Sequence, residues 1–210
     1  NLLKIAADQN LDIEKTSKPQ TIVVDFSGPN IAKQMHVGHL RSTILGDCIC
    51  RMLEAAGHTV IRQNHIGDWG LQMGMLLAVD EKFRQNAGGG DFDVHIPSVE
   101  TLEKIENLYK DANKRFETDK EFAQKAKNYT YKLQNHDDPV ATTQWVAFRK
   151  LTINACNEIY KYLKVSLTDN DIRGESFYKD MLADVVKELQ QKKDSQGNPI
   201  AKKSDGAICV

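Results

Sequence analysis

The chain has 210 residues, 40% of them hydrophobic and 27% charged, with a formal net charge of −1. That length supports a buried core and fits one domain or a large part of one. No apolar run reaches the roughly 20 residues that cross a bilayer, and near-zero charge excludes a strong nucleic-acid footprint over the whole surface.

The N-terminus carries no signal-peptide pattern, and both ends read as cuts. Residues 1–19 are expected to be a linker from a preceding N-terminal domain. Residues 21–26 (Thr-Ile-Val-Val-Asp-Phe) read as a buried β-branched strand. A loop of Ser27, Gly28, Pro29 and Asn30 follows. An amphipathic helix comes next, with Leu40, Ile44, Leu45, Cys48, Ile49, Met52 and Leu53 as its apolar face. Gly57 is its expected left-handed cap. Residues 59–62 form a second strand, which makes a βαβ unit with a parallel sheet and right-handed crossover.

Beyond Gly70 the pattern is helical, with Leu71, Met75, Ala78 and Val79 on one side. Gly88, Gly89 and Gly90 read as a flexible link. Ser98 is the expected cap of a helix carrying Val99, Leu102, Leu108 and Tyr109. Thr118 with Glu121 forms a capping box for another, and Asp138 with Pro139 opens a third. That third helix carries Trp145, Phe148, Cys156, Ile159 and Leu163. Residues 165–168 are expected to be a strand, and Ser176 to start a helix through Met181, Leu182, Val185 and Leu189. Residues 194–199 form a turn-rich loop, and residues 207–210 read as the start of a strand. The four cysteines, Cys48, Cys50, Cys156 and Cys209, read as reduced thiols packed as small apolar groups. The lysines between positions 104 and 132 read as solvated helix faces, with a local RNA-facing patch among them left open.

The chemistry lies in Pro29, Asn30, Ile31, Ala32, Lys33, Gln34, Met35, His36, Val37, Gly38 and His39. This run joins the end of a core strand to a helix start, where parallel sheets present ligand sites. A helix N-terminus offers unpaired N–H groups and a positive dipole to phosphate. Gly38 removes a side chain, so a flat ring could approach the backbone. His36 and His39, three apart, project to one side and can donate to anionic oxygens. Lys33 adds a mobile positive charge. The spacing by itself fits a chance pair of histidines as well, but not a zinc site, because no ligand pair follows.

The His-Val-Gly-His tetrad resembles the HIGH signature of class I aminoacyl-tRNA synthetases. The stretch from Asp25 to Asp47 is similar to the arginyl-tRNA synthetase version of it. So are the segments from His65 to Gly70 (His-Ile-Gly-Asp-Trp-Gly) and from Gly174 to Tyr178 (Gly-Glu-Ser-Phe-Tyr). The resemblance covers residues 20–210. It implies an α/β fold: the first half of a Rossmann-like parallel-sheet nucleotide-binding domain, with a helical insertion at about residues 92–163. It also implies activation of arginine with ATP and transfer to tRNA.

On this resemblance His36, His39 and Lys33 are catalytic, and His36, Gly38, His39 and Lys33 bind ATP. Asp25, Gly28, Pro29, Asn30 and His39 bind arginine, the Asp25 carboxylate suiting a guanidinium. Lys33 occupies the place of a lysine that substitutes, in many family members, for that of the second class I signature. Gly28 departs from the Ser or Ala common in the family, so a side-chain contact is lost there. Trp69 reads as core packing, Gly67 and Asp68 as candidate site lining, and Gly174 and Glu175 as a turn with Ser176 as cap. Mg2+ is expected with ATP, without a tightly bound protein-ligated metal. The full-length enzyme is expected to be a cytoplasmic monomer.

Two alternatives stay open: another nucleotidyl-transferring α/β protein that acts without tRNA, and a non-catalytic binding fragment. The chain contains no Lys-Met-Ser-Lys-type run, anticodon-binding module or second half of the nucleotide fold. A 210-residue piece is therefore expected to be feebly active alone.

Overall fold

The structure is a computed structural model that describes residues 13–79, 99–204 and 207–209. The start of the expected linker, the Gly88–Gly90 link, the Ser98 cap and Val210 lie outside the described residues. Two compact units divide after Glu175. The first holds β1 (Thr21–Asp25), α1 (Val37–Ala55), β2 (Thr59–Gln63), α2 (Leu71–Val79), α3 (Val99–Thr118), α4 (Lys120–Asn135) and α5 (Pro139–Leu163).

β1 and β2 pair in parallel, Thr21 opposite Thr59 through Asp25 opposite Gln63, with α1 as the connection. This is the expected βαβ unit. β1 is not buried on both faces, however: Ile22 and Val24 are partly covered, while Thr21, Val23 and Asp25 are exposed. Only one face of the pair is packed among the described residues, so side chains alternate between core and solvent.

The face of α1 also differs from expectation. Its buried residues are Thr43, Gly46, Asp47 and Cys50, whereas Ile44, Leu45, Ile49 and Met52 are exposed. The cause is the sheet side chain opposite. A Cβ at Gly46 would overlap the Phe26 ring, so the helix approaches β1 through its smallest residues. α1 ends as expected, with Ala56 as cap and Gly57 at φ 90°. The cysteines split accordingly: Cys50 and Cys156 are buried, but Cys48 and Cys209 are exposed.

Helices α3 to α5 span the region read as an insertion. Leu102 and Ile105 of α3 are buried, and Leu108 is not. α2 is buried on nearly all sides, from Met73 to Ala78, rather than along one stripe. Trp69, Met73, Leu77, Leu133, Phe148 and Leu151 share the main core. Asp119, not Thr118, caps α4, because its carboxylate accepts from Phe122 N–H at 3.0 Å while Thr118 ends α3. Asp138 caps α5 through Ala141 N–H at 3.0 Å, with Pro139 at the first turn.

Residues 165–168 are not a strand. Val165 N–H closes the end of α5 on Tyr160 O at 2.9 Å, and the next donors go to carboxylates: Ser166 N–H to Asp47 at 2.9 Å and Thr168 N–H to Asp171 at 2.7 Å. A 3-10 turn, Asp169–Asp171, follows. The segment from Ser176 winds as a second 3-10 stretch (Glu175–Met181), so α6 (Leu182–Gln191) begins later than expected and lacks a side-chain cap. In the second unit the turn after α6 is built on Asp194, whose carboxylate accepts from Gln196 and Asn198 N–H. β3 (Lys202–Ser204) and β4 (Ala207–Cys209) pair antiparallel there.

Candidate functional site

The loop after β1 leads directly into α1, and its geometry is unusual. Ser27 has φ 74° and Gly28 has φ 61°, both in the left-handed region. Glycine at 28 suits this backbone, since a side chain there would be strained. Its N–H donates to Asn64 Oδ1 at 3.1 Å. The next residues form a short parallel bridge to the loop after β2: Ile31 N–H donates to Gly67 O, and Gly67 N–H to Pro29 O, both at 3.1 Å. Pro29 and Ile31 are buried, while Asn30 is exposed between them. Asn30 lies across Gly67, where any Cβ would overlap its carboxamide oxygen. Asp25 stands exposed at the end of β1.

Beyond this bridge, Ala32 (φ 62°) turns the chain again, its N–H donating to Thr152 Oγ1 at 2.9 Å. Ala32 is fully buried, so the following residue is set by a fixed pivot. Lys33 reaches over the Tyr109 ring of α3, its Nζ 4.3 Å from the centroid. That ring packs against two core clusters. Gln34 N–H points to Glu106 Oε2 at 3.4 Å, and Met35 packs near Phe26.

His36 is the N-cap of α1, in extended conformation. Its Nδ1 accepts from Gly38 N–H at 3.1 Å, and its own N–H donates to His39 Nδ1 at 3.2 Å. The two rings stack with centroids 3.9 Å apart. Each Nδ1 is thus placed as an acceptor, which leaves Nε2 of each ring as the donor. A Cβ at Gly38 would press on the His36 ring at 2.9 Å, a steric reason for glycine there. Val37 is exposed beside them. Burial, then the charges of His36 and Lys33, lower the pKa of His39 below its ordinary value. It is therefore uncharged near neutral pH.

The loop after β2 is anchored independently. Asp68 is fully buried, and its carboxylate takes Arg149 Nε of α5 at 3.1 Å. Trp145 Nε1–H donates to Asp68 O at 2.7 Å. Gly174 lies against the same carboxylate, and Glu175 accepts Trp69 N–H at 3.0 Å. Trp69 is core, as expected. Asp68 faces Arg149 and Gly174, not open solvent. Arg149, Tyr160 and Asn64 escaped sequence reasoning, and Tyr109 was read only as part of a helix's apolar face. They lie on α5, directly after β2 and on α3, and nothing in their local pattern marks a place in the site.

Among the described residues, no group of three or more His, Cys, Asp or Glu is placed to hold a metal. No described helix is long and apolar enough to cross a membrane.

Comparison with known proteins fits this geometry. Residues 1–210 match the family model described as tRNA synthetases class I (R), catalytic domain. The chain is 47% identical over 204 residues to the arginine–tRNA ligase of Alcanivorax borkumensis, covering 97% of this chain and 33% of that protein. It is 46% identical over 203 residues to that of Cellvibrio japonicus, covering 97% and 32%. The chain thus spans about a third of the length of these curated relatives. Among solved structures, arginyl-tRNA synthetase from Plasmodium falciparum superposes with TM-score 0.70 at 32% identity, covering 94% of this chain and 31% of that one. The Thermus thermophilus enzyme shares the fold at TM-score 0.55 and 20% identity, covering 94% and 32%. With its parallel βαβ core and a family match along its whole length, the chain belongs to the class I (R) tRNA synthetase catalytic-domain family.

Proposed function

We propose that this chain supplies the ATP- and arginine-facing part of an arginine–tRNA ligase, on the first half of a Rossmann-like domain. The reading rests above all on the stacked His36 and His39 at the N-terminus of α1, both with Nε2–H available as donors. In adenylate formation an arginine carboxylate oxygen attacks the α-phosphorus of ATP. The bond to the bridging oxygen breaks and pyrophosphate leaves. The two Nε2–H groups donate to phosphate oxygens as charge builds, aided by the helix dipole. The HIGH-type run from Pro29 to His39 thereby acts as one unit, with Gly38 beside the adenine.

Lys33 swings from the Tyr109 ring to the departing phosphates. Its alkyl stem is flexible, so the swing costs little beyond the cation–π contact. Asp25, Gly28, Pro29, Asn30 and His39 form the arginine side, with Asp25 as partner for the guanidinium. Mg2+ bound with ATP would neutralise part of the phosphate charge during the transfer. The hydroxyl of the terminal ribose of tRNA then attacks the arginyl carbonyl, the acyl–phosphate bond breaks and AMP leaves, in a cytoplasmic, monomeric full-length enzyme.

The test is a chimera in which this chain replaces the matching third of the Alcanivorax borkumensis enzyme. Arginine-dependent ATP–pyrophosphate exchange is expected, and His39→Ala should lower it by about 100-fold. Exchange with a different amino acid, or none above background, would overturn the reading.

A further inference from the structure

The strained turn at Ser27 and Gly28 is closed by a ring of buried polar groups drawn from distant parts of the chain. Ser27 is buried, and its Oγ lies 2.6 Å from the Tyr160 hydroxyl of α5. Asn64, directly after β2, bridges back: its Nδ2 donates to the Tyr160 hydroxyl at 3.2 Å, and its Oδ1 accepts Gly28 N–H. Ser27 N–H also points to Ser42 Oγ of α1, at 3.3 Å. Tyr160 and Asn64 are each only 3% exposed, so a lost partner leaves a polar group buried away from bulk solvent.

Burial pushes the Tyr160 hydroxyl up to about 12, so it stays neutral and keeps its proton. A cavity of about 10 Å³ lies beneath Pro29, lined by Asn64, Thr152 and Tyr160 among others, so the loop rests on packed atoms. A left-handed serine persists only where its surroundings over-determine it, and such residues cluster at ligand sites.

We propose that Tyr160 is a positioning residue for the amino-acid subsite: through Ser27 and Asn64, its hydroxyl holds the strained turn that aims Gly28, Pro29 and Asn30. The inference rests on the proposed arginine-facing role of those three residues. Tyr160 touches no reacting atom. The loop is fixed at one end by this ring and at the other by the bridge to Gly67, so Asn30 is held between two anchors. A tyrosine that merely filled the core would affect stability without selecting among substrates.

Two readouts test this. In the 210-residue chain, Tyr160→Phe should speed amide hydrogen exchange at Gly28 and Ile31 about tenfold, with α2 unaffected. In the chimera, the same substitution should raise KM for arginine about tenfold and leave KM for ATP within twofold. Adding Ser27→Gly should bring both readouts back toward wild type, because glycine adopts positive φ without the hydroxyl. Uniform loss of protection, or a lower Tm with unchanged KM for arginine, would overturn the proposal. Should the unmodified chimera activate no arginine, the functional reading falls, and the exchange measurement alone then decides the role of Tyr160.

Discussion

The two histidines of the candidate site are tied to each other before any ligand arrives. His36 caps the helix with Nδ1, and its backbone N–H occupies Nδ1 of His39. Sequence spacing placed both rings on one side, but it could not assign the tautomer, which depends on these two bonds. Their consequence is measurable. His39 is held below its ordinary range by burial, His36 and Lys33, so it is neutral in the free protein at pH 7. An ATP phosphate near Nε2 favours the charged form and raises that pKa. ATP binding at mildly acidic pH is therefore expected to be accompanied by proton uptake. Calorimetry in two buffers of different ionisation enthalpy measures the uptake. If it survives His39→Ala, His39 does not face the phosphates.

At the scale of elements, α1 shows how a helix can be read correctly in extent and wrongly in orientation. Large apolar residues at helical spacing suggest a face, yet the sheet side chain opposite is Phe26, which leaves room only for Gly46. Thr43, Asp47 and Cys50 follow Gly46 inward, and Ile44, Leu45, Ile49 and Met52 turn outward. Adjacent positions then separate the two orientations. Ile49 is 47% exposed and Cys50 fully buried. Ile49→Lys is expected to change unfolding free energy by less than about 0.5 kcal/mol, and Cys50→Asp to cost about 3 kcal/mol or more. Urea unfolding of the chain compares them, and the reverse ranking would restore the orientation expected from spacing.

Within the first unit as a whole, segments far apart in sequence are joined by side chains that secondary-structure patterns do not reveal. Asp68 ties the loop after β2 to α5 through Arg149. Asp47 ties α1 to the segment after α5: its carboxylate accepts the Ser166 N–H and hydroxyl and pairs with Arg51 at 2.6 Å. Burial pushes the Asp47 carboxyl up, but the Ser166 bonds, then Arg51, outweigh it and hold it below the usual range. A lowered folded-state pKa stabilises the fold above the unfolded value of about 3.9 and loses that contribution as pH falls through the folded one. Asp47→Asn should therefore be less stable than wild type by about 2 kcal/mol at pH 7, and the gap should close below pH 4. Denaturant titrations at pH 7 and pH 3 measure it; an equal gap at both would show that the carboxylate charge is not the cause.

The sequence by itself determined the local rules. β-branched residues made β1, a glycine ended α1, Asp138 and Pro139 opened α5, and the run from Pro29 to His39 carried the family and its expected chemistry. Each of these depends on residues within a turn or two of one another, so spacing records it. Only the tertiary structure decided which face of α1 is buried, why residues 165–168 are not a strand, and what holds Ser27, Lys33 and Asn30 in place. Those outcomes depend on single residues brought up from elsewhere in the chain: the side chains of Phe26, Asp47, Tyr160 and Tyr109 and the bare backbone of Gly67. Packing is close enough that one ring or one carboxylate can override a periodic pattern, and that proximity exists only once the chain has folded.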